Sequence, residues 1–175
     1  MAFVDLYDQI SKSLSECKFS MGIFIDLFKA FDIIDHQILL KKLAHLDIRG
    51  IPLQWFTSYF SERKQYVHIN DYDSKQKYVK CGVPQGSILG PLLFLIYVND
   101  MPNCSKMLGF ILFTDDTNIF YAHNDIKTII ETVNSELKFL SIWFRANRLS
   151  LNISKKKFIL FSRTGNLHKK TEFLL

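Results

Sequence analysis

Cysteine is scarce in this chain of 175 residues: there are three, Cys17, Cys81 and Cys104. The number is odd, no Cys-x-x-Cys pair occurs, and no histidine sits at ligand spacing. That excludes a disulfide framework and argues against a structural zinc site. Free thiols suit a reducing compartment. Glycine (7) and proline (4) are also few. No Gly/Ser linker, low-complexity tract or internal repeat divides the chain. Long hydrophobic runs are lacking too. The longest, ILGPLLFLIYV at 88–98, is too short to span a bilayer and carries Gly90 and Pro91. The start, MAFVDLYDQISKSL, has no basic region followed by an apolar core, so it does not read as a secretory leader. Together these absences lead us to expect an intracellular chain with no membrane partner.

Acid is the scarcer charge, with 17 Asp and Glu against 22 Lys and Arg and a net charge of +5. The imbalance is concentrated late. From Arg145 onward come Arg145, Arg148, Lys155, Lys156, Lys157, Arg163, Lys169 and Lys170 against Glu172. A solvated tail and a phosphate-backbone contact account for this excess about equally well. A hydrophobic share of 48% is enough for one domain with a sizeable core and excludes global disorder.

Periodicity sets out the elements. FVDLYDQISKSL (3–14) reads as an amphipathic helix with Phe3, Leu6, Tyr7, Ile10 and Leu14 on one face. MGIFID (21–26) is a short buried strand ending on an acid. DHQILLKKLAHL (35–46) is a helix with Asp35 as N-cap, and Pro52 opens a second one, PLQWFTSYFSER. KQYVHIN and KQKYVKCG alternate as two strands around the turn DYDS; VPQGS is a loop; LGPLLFLIYVNDM is a buried helix that Pro102 stops, with Asp100 closing it. MLGFILF and NIFYA are strands joined through Thr114, Asp115, Asp116 and Thr117. Residues 125–149 form a long helix with the stripe Ile129, Val133, Leu137, Leu140 and Phe144, and FILFS is a last strand. Strands alternating with helices around an antiparallel hairpin predict an α+β fold, with helices on one sheet face.

Two adjacent carboxylates, Asp115 and Asp116, interrupt the apolar run LGFILFTDDTNIFYA. Taken alone, such a doublet is an ordinary solvated turn. A third acid changes the weighing. Asp26 ends GIFID, and if the strand ends lie side by side, three carboxylates converge. They cannot all stay ionised there without a cation. Hard oxygen donors select Mg²⁺ or Mn²⁺, and two such ions are what phosphoryl transfer to a 3′-hydroxyl uses.

FIDLFKAFDIIDHQILLKKL, GVPQGSILGPLLFLIYVNDMP, FTDD and LSLNISKKKFILFS, in that order, resemble the successive palm motifs of reverse transcriptases. The likeness is to those of non-LTR retrotransposons of the jockey and LINE type, and it runs from about residue 3 to residue 163. It implies a polymerase palm, a ferredoxin-like antiparallel sheet backed by helices. It implies an RNA-directed DNA polymerase that takes an RNA template, a DNA primer and dNTPs and uses two Mg²⁺ ions, with Mn²⁺ as a substitute. Asp26, Asp115 and Asp116 match the metal-binding aspartates. Phe31 matches the bulky residue under the sugar, which would exclude a ribose 2′-hydroxyl. Gln85 and Gly86 match the loop that contacts nucleotide and template. Lys155 matches the lysine of an Asn-x-x-Lys segment, after Asn152, which is thought to protonate the leaving pyrophosphate; a solvated run explains Lys155 to Lys157 as well. Lys29 suits either a phosphate or an acidic partner. Asp32 and Asp35 fit turn and cap roles. Thr114 stands where Ala is usual, and Phe28 where a small residue is usual, so Phe28 is expected to crowd the strand exit.

On this likeness, residues 1–165 are the palm region and 166–175 a basic tail, with fingers and thumb largely missing. The alternative function is a catalytically inactive transposon-derived fragment that only binds nucleic acid. An RNA-templated RNA polymerase shares the palm, but Phe31 argues against it.

Overall fold

The computed structural model describes residues 2–114 and 116–163. In chain order the elements begin with α1 (Ala2–Ser15), β1 (Phe19–Asp26), α2 (His36–His45) and α3 (Ile51–Phe60). Four two-residue strands follow: β2 (Lys64–Gln65), β3 (His68–Ile69), β4 (Tyr72–Asp73) and β5 (Lys77–Tyr78). Then come α4 (Leu89–Val98), a 3₁₀ turn (Met101–Cys104), β6 (Gly109–Phe113), β7 (Asp116–His123), α5 (Ile126–Ala146) and β8 (Lys157–Phe161). The chain forms two compact units. One comprises residues up to Phe28 with those from Asp100 onward; the other is Lys29–Asn99.

The first unit is a four-stranded antiparallel sheet in the order β6-β7-β1-β8. Counting strands within the unit, that is the second, third, first and fourth, the ferredoxin-like order that the family resemblance implies. Alternation along each strand divides the sheet into two faces. Met21, Ile23 and Ile25 of β1 share one face with Thr117 and Ile119 of β7, and all are buried. Helix α1 packs on β1, β6 and β7, and α5 packs on β7. The predicted stripe of α5, Ile129, Val133, Leu137, Leu140 and Phe144, is buried throughout. Each such side chain taken from water contributes roughly 1.5–3 kcal/mol. The other face carries Phe24, Asp26, Ile111, Phe113, Asp116, Asn118, Lys157 and Ile159. It is more open; Phe113 is 55% exposed.

Helix ends follow backbone chemistry. α1 stops where Cys17 takes φ 57°, with Lys18 N–H donating to Ser13 O at 2.9 Å. Tyr7, expected on the apolar face of α1, instead points outward and is 70% exposed, while Leu6 is buried. α5 ends at Ala146, short of the predicted 149. Arg148 there takes φ 53°, and Leu149 N–H donates to Phe144 O at 3.0 Å, turning the chain out of the helix.

The second unit is helical with a small β arm. Asp35 caps α2 as expected, its carboxylate accepting from Gln37 and Ile38 N–H. α2 packs on α3 and α4 over a core of Leu39, Leu43, Leu93, Phe94 and Tyr97. The predicted pair of strands is broken into β2 with β5 and β3 with β4. The turn is Asn70–Asp71, not DYDS. Asn70 and Asp71 both take positive φ, 45° and 64°, the geometry of a two-residue hairpin loop, so Tyr72 and Asp73 are free to pair as strand. Pro102 does not stop the buried helix, which has already ended at Val98. Pro102 instead sits second in the 3₁₀ turn, behind Met101, where its missing N–H costs nothing, and Asp100 is the residue before that turn.

Candidate active site at the end of the central strand

Asp26 is the last residue of β1, and it lies directly opposite Asp116, the first residue of β7. Asp116 therefore belongs to the strand rather than to the turn expected for it. Phe113 pairs with Asp116, and Thr114 after Phe113 takes φ 50°. Asp115 lies outside the described residues. Residues opposite one another in an antiparallel pair share a face, with Cβ atoms about 5 Å apart. Two carboxylates so placed repel unless a cation stands between them.

The Asp26 side chain is 18% exposed and held by groups from the segment before β8. Asn152 Nδ2 donates to Asp26 Oδ2 at 2.8 Å, and Asn152 N–H donates to Asp26 O at 2.9 Å. Lys155 Nζ lies 3.3 Å from Oδ2 and 3.4 Å from Oδ1, on a side chain 65% exposed. Phe28 N–H donates to Ser150 O at 2.9 Å, and Leu27 bridges to Leu151. The strand exit is thus clasped through main-chain bonds. Phe28 does not crowd it, because its side chain is exposed.

These residues line a cleft of about 640 Å³ formed by Phe24, Ile25, Asp26, Asp116, Asn118, Ser154, Lys155, Lys157 and Ile159. Asn118 and Ser154 were not singled out from the sequence, and Lys157 was read only as part of a basic run. The signal for two of them was period-two alternation: Asn118 lies two residues beyond Asp116, and Lys157 pairs with Phe24, two before Asp26. Ser154 carried no such signal.

Phe31, Gln85 and Gly86 lie in the other unit and come together around a recess of about 230 Å³, with Pro84 and Pro91. The Phe31 ring packs on Phe94 with centroids 5.0 Å apart. Gln85 Nε2 donates to Asp32 Oδ1 at 3.0 Å. Gly86 has φ 80°, and a Cβ there would meet nothing within 4 Å. Its glycine is required by the backbone conformation, not by packing within the chain.

As to a metal, Asp26 and Asp116 supply hard carboxylate oxygens on one sheet face, and Asn152 holds Asp26 without adding charge. That donor set fits Mg²⁺ or Mn²⁺. Among the described residues, no three His, Cys, Asp or Glu side chains converge. The third predicted ligand is Asp115.

An antiparallel sheet in ferredoxin-like order, backed by helices and presenting two opposed aspartates at adjoining strand ends, has the architecture of a polymerase palm. Solved structures bear out the fold. Telomerase from Candida tropicalis, truncated from its C-terminal domain, superposes with a TM-score of 0.67 over 95% of this chain and 36% of that one, at 14% identity. The same enzyme with the TWJ fragment of telomeric RNA gives 0.64 over 96% and 30%, also at 14% identity. The family model described as reverse transcriptase (RNA-dependent DNA polymerase) matches residues 6–174. This chain belongs to the reverse transcriptase family.

Its curated relatives come from non-LTR mobile elements. The RNA-directed DNA polymerase from mobile element jockey of Drosophila melanogaster is 27% identical over 166 residues, covering 89% of this chain and 18% of that protein. The probable RNA-directed DNA polymerase from transposon X-element, also of Drosophila melanogaster, is 28% identical over 89% of this chain and 17% of its own length. The Pol polyprotein from type-1 retrotransposable element R1 of Bradysia coprophila is 29% identical over 87% and 15%. The chain thus spans less than one fifth of these relatives. Among the described residues, no helix is long and apolar enough to cross a membrane.

Proposed function

We propose that this chain is the palm segment of an RNA-directed DNA polymerase of a non-LTR retrotransposon, adding dNTPs to a primer 3′ end on an RNA template. The observation that supports this most is the opposition of Asp26 and Asp116 at adjoining strand ends on the open sheet face. Asp26, Asp116 and Asp115 would hold two divalent ions. When bound, these ions supply activation of the attacking hydroxyl and stabilisation of the leaving phosphate. The protein's own contribution is positioning and charge. β1 and β7 fix the carboxylates to a rigid sheet. Asn152 holds Asp26 in orientation. Lys155 and Lys157, on the same cleft, offer positive charge to a polyphosphate, and to Lys155 we assign the protonation of the leaving pyrophosphate. Phe31 is assigned the exclusion of a ribose 2′-hydroxyl, and Gln85 with Gly86 the contact to nucleotide and template.

Three measurements test this. Calorimetry should show Mn²⁺ binding that weakens at least tenfold in Asp26→Asn and Asp115→Asn; unchanged affinity would sink the metal reading. Thermal melts of the parent chain and of Asp116→Asn, in EDTA and with Mn²⁺, give a second readout. The parent should gain about 2.7 kcal/mol at a hundredfold excess of Mn²⁺ over Kd, and the variant much less. Primer extension on RNA then separates the readings: dNTP incorporation supports the polymerase, and efficient rNTP incorporation refutes the role given to Phe31. Nucleic-acid binding without Mn²⁺ binding or extension would favour the inactive fragment.

A further inference from the structure

We propose that Asn152 is a positioning residue for the Asp26 carboxylate, fixing the geometry in which Asp26 meets a divalent ion; this rests on the metal reading of the same cleft. The two residues lie 126 apart in sequence, yet share two hydrogen bonds, one between main chains and one between side chains. A carboxylate only accepts, so the amide must turn its Nδ2 toward Asp26. A second contact enforces that choice. Ser154 Oγ donates to Asn152 Oδ1 at 2.7 Å, which occupies the amide's acceptor end. Lys155 N–H donates to Asn152 O at 3.1 Å and closes the short 3₁₀ turn that carries Ser154. The amide can neither flip nor swing away without breaking these bonds.

The chemistry of the donor matters. Lys155 also reaches Asp26, but at longer distances, from an exposed chain and with a full positive charge. A charged partner competes with any incoming cation for the same oxygens. An amide orients the carboxylate and leaves its charge intact. Residues that hold metal ligands in this way set affinity by orientation, and their loss costs roughly 10–100-fold in metal binding.

The test uses Mn²⁺ alone with the full chain. Asn152→Ala should lower Mn²⁺ affinity about tenfold. Ser154→Ala keeps the Asn152 main-chain bonds and frees only the amide; it should cause a smaller loss in the same direction, which a merely structural role for Asn152 would not produce. Should Asn152→Ala fail to fold, the parent chain still answers. In ¹⁵N spectra, substoichiometric Mn²⁺ should broaden the Asn152 side-chain amide first, and Asp26→Asn should abolish that broadening. If Asp26→Asn weakens Mn²⁺ binding while Asn152→Ala and Ser154→Ala leave it unchanged, the proposal is overturned. So it is if the Asn152 amide stays sharp as Mn²⁺ saturates. If Asp26→Asn itself changes nothing, the metal reading falls first and this proposal with it.

Discussion

Gly109 offers a measurement of how the open sheet face is built. It opens β6 and lies opposite Phe120 of β7. A Cβ on Gly109 would fall 2.2 Å from Phe120 Cζ and 2.5 and 2.6 Å from its two Cε atoms. The ring lies flat across the glycine, so Gly109→Ala must lift it off the sheet. Phe120 is half-buried. Displacing its ring returns roughly 70 Å² of apolar surface to water, about 1.8 kcal/mol at about 25 cal/mol per Å². Against this, alanine restricts the unfolded backbone and strengthens the strand by about 0.5–1 kcal/mol. The net expectation is a loss of about 1 kcal/mol, or roughly 2–4 °C in Tm. In a Phe120→Ala background the conflict disappears, and Gly109→Ala should become stabilising by about 0.5–1 kcal/mol. Urea unfolding followed by circular dichroism on the four proteins of the cycle gives the coupling, expected near 1.8 kcal/mol. Stabilisation by Gly109→Ala with Phe120 in place, or the same effect in both backgrounds, would refute this reasoning.

Two further outcomes follow from titrating groups. Burial pushes the Cys104 thiol up from 9.0 to about 11, with the nearby carboxylates of Glu136 and Asp100 adding to the rise. At pH 8, iodoacetamide should therefore label exposed Cys17 and Cys81 well before Cys104, as read by mass spectrometry; equal rates would count against the packing around Cys104. Because the folded chain keeps this proton longer than the unfolded one, Cys104 should make stability fall between pH about 9 and about 11. Asp125 shows the opposite sign. The backbone N–H of Thr128 at 3.0 Å and its hydroxyl at 2.9 Å hold the Asp125 carboxyl below its usual range. Its contribution to α5 is present above the unfolded pKa and lost as pH falls through the folded one. The stability gap between the parent chain and Asp125→Ala should narrow below pH about 4; a gap that widens in acid would contradict the cap.

Much was legible because it is local. The period of Ile129, Val133, Leu137, Leu140 and Phe144 determines a helix face wherever the helix packs, and all five are buried. Asp35 caps α2 through bonds to residues two and three ahead. Readings failed where short-range rules competed. DYDS and Asn70–Asp71 both carry turn residues, and the positive φ at Asn70 and Asp71 decided between them. Pro102 looked like a helix stop, but a proline also fits early in a turn.

The sequence by itself determined the residue types, their order and the acid that ends the strand at Asp26, since strand period and motif order are properties of the chain. Only tertiary structure decided that Asp26 stands opposite Asp116, that Asn152 and Ser154 orient Asp26, and that Phe120 covers Gly109. The physical reason is register. A strand pairing is chosen by the burial of a whole face, and a slip of one residue would send every side chain to the opposite side. That choice is made by all the strands and helices of the unit together, and no local stretch contains it.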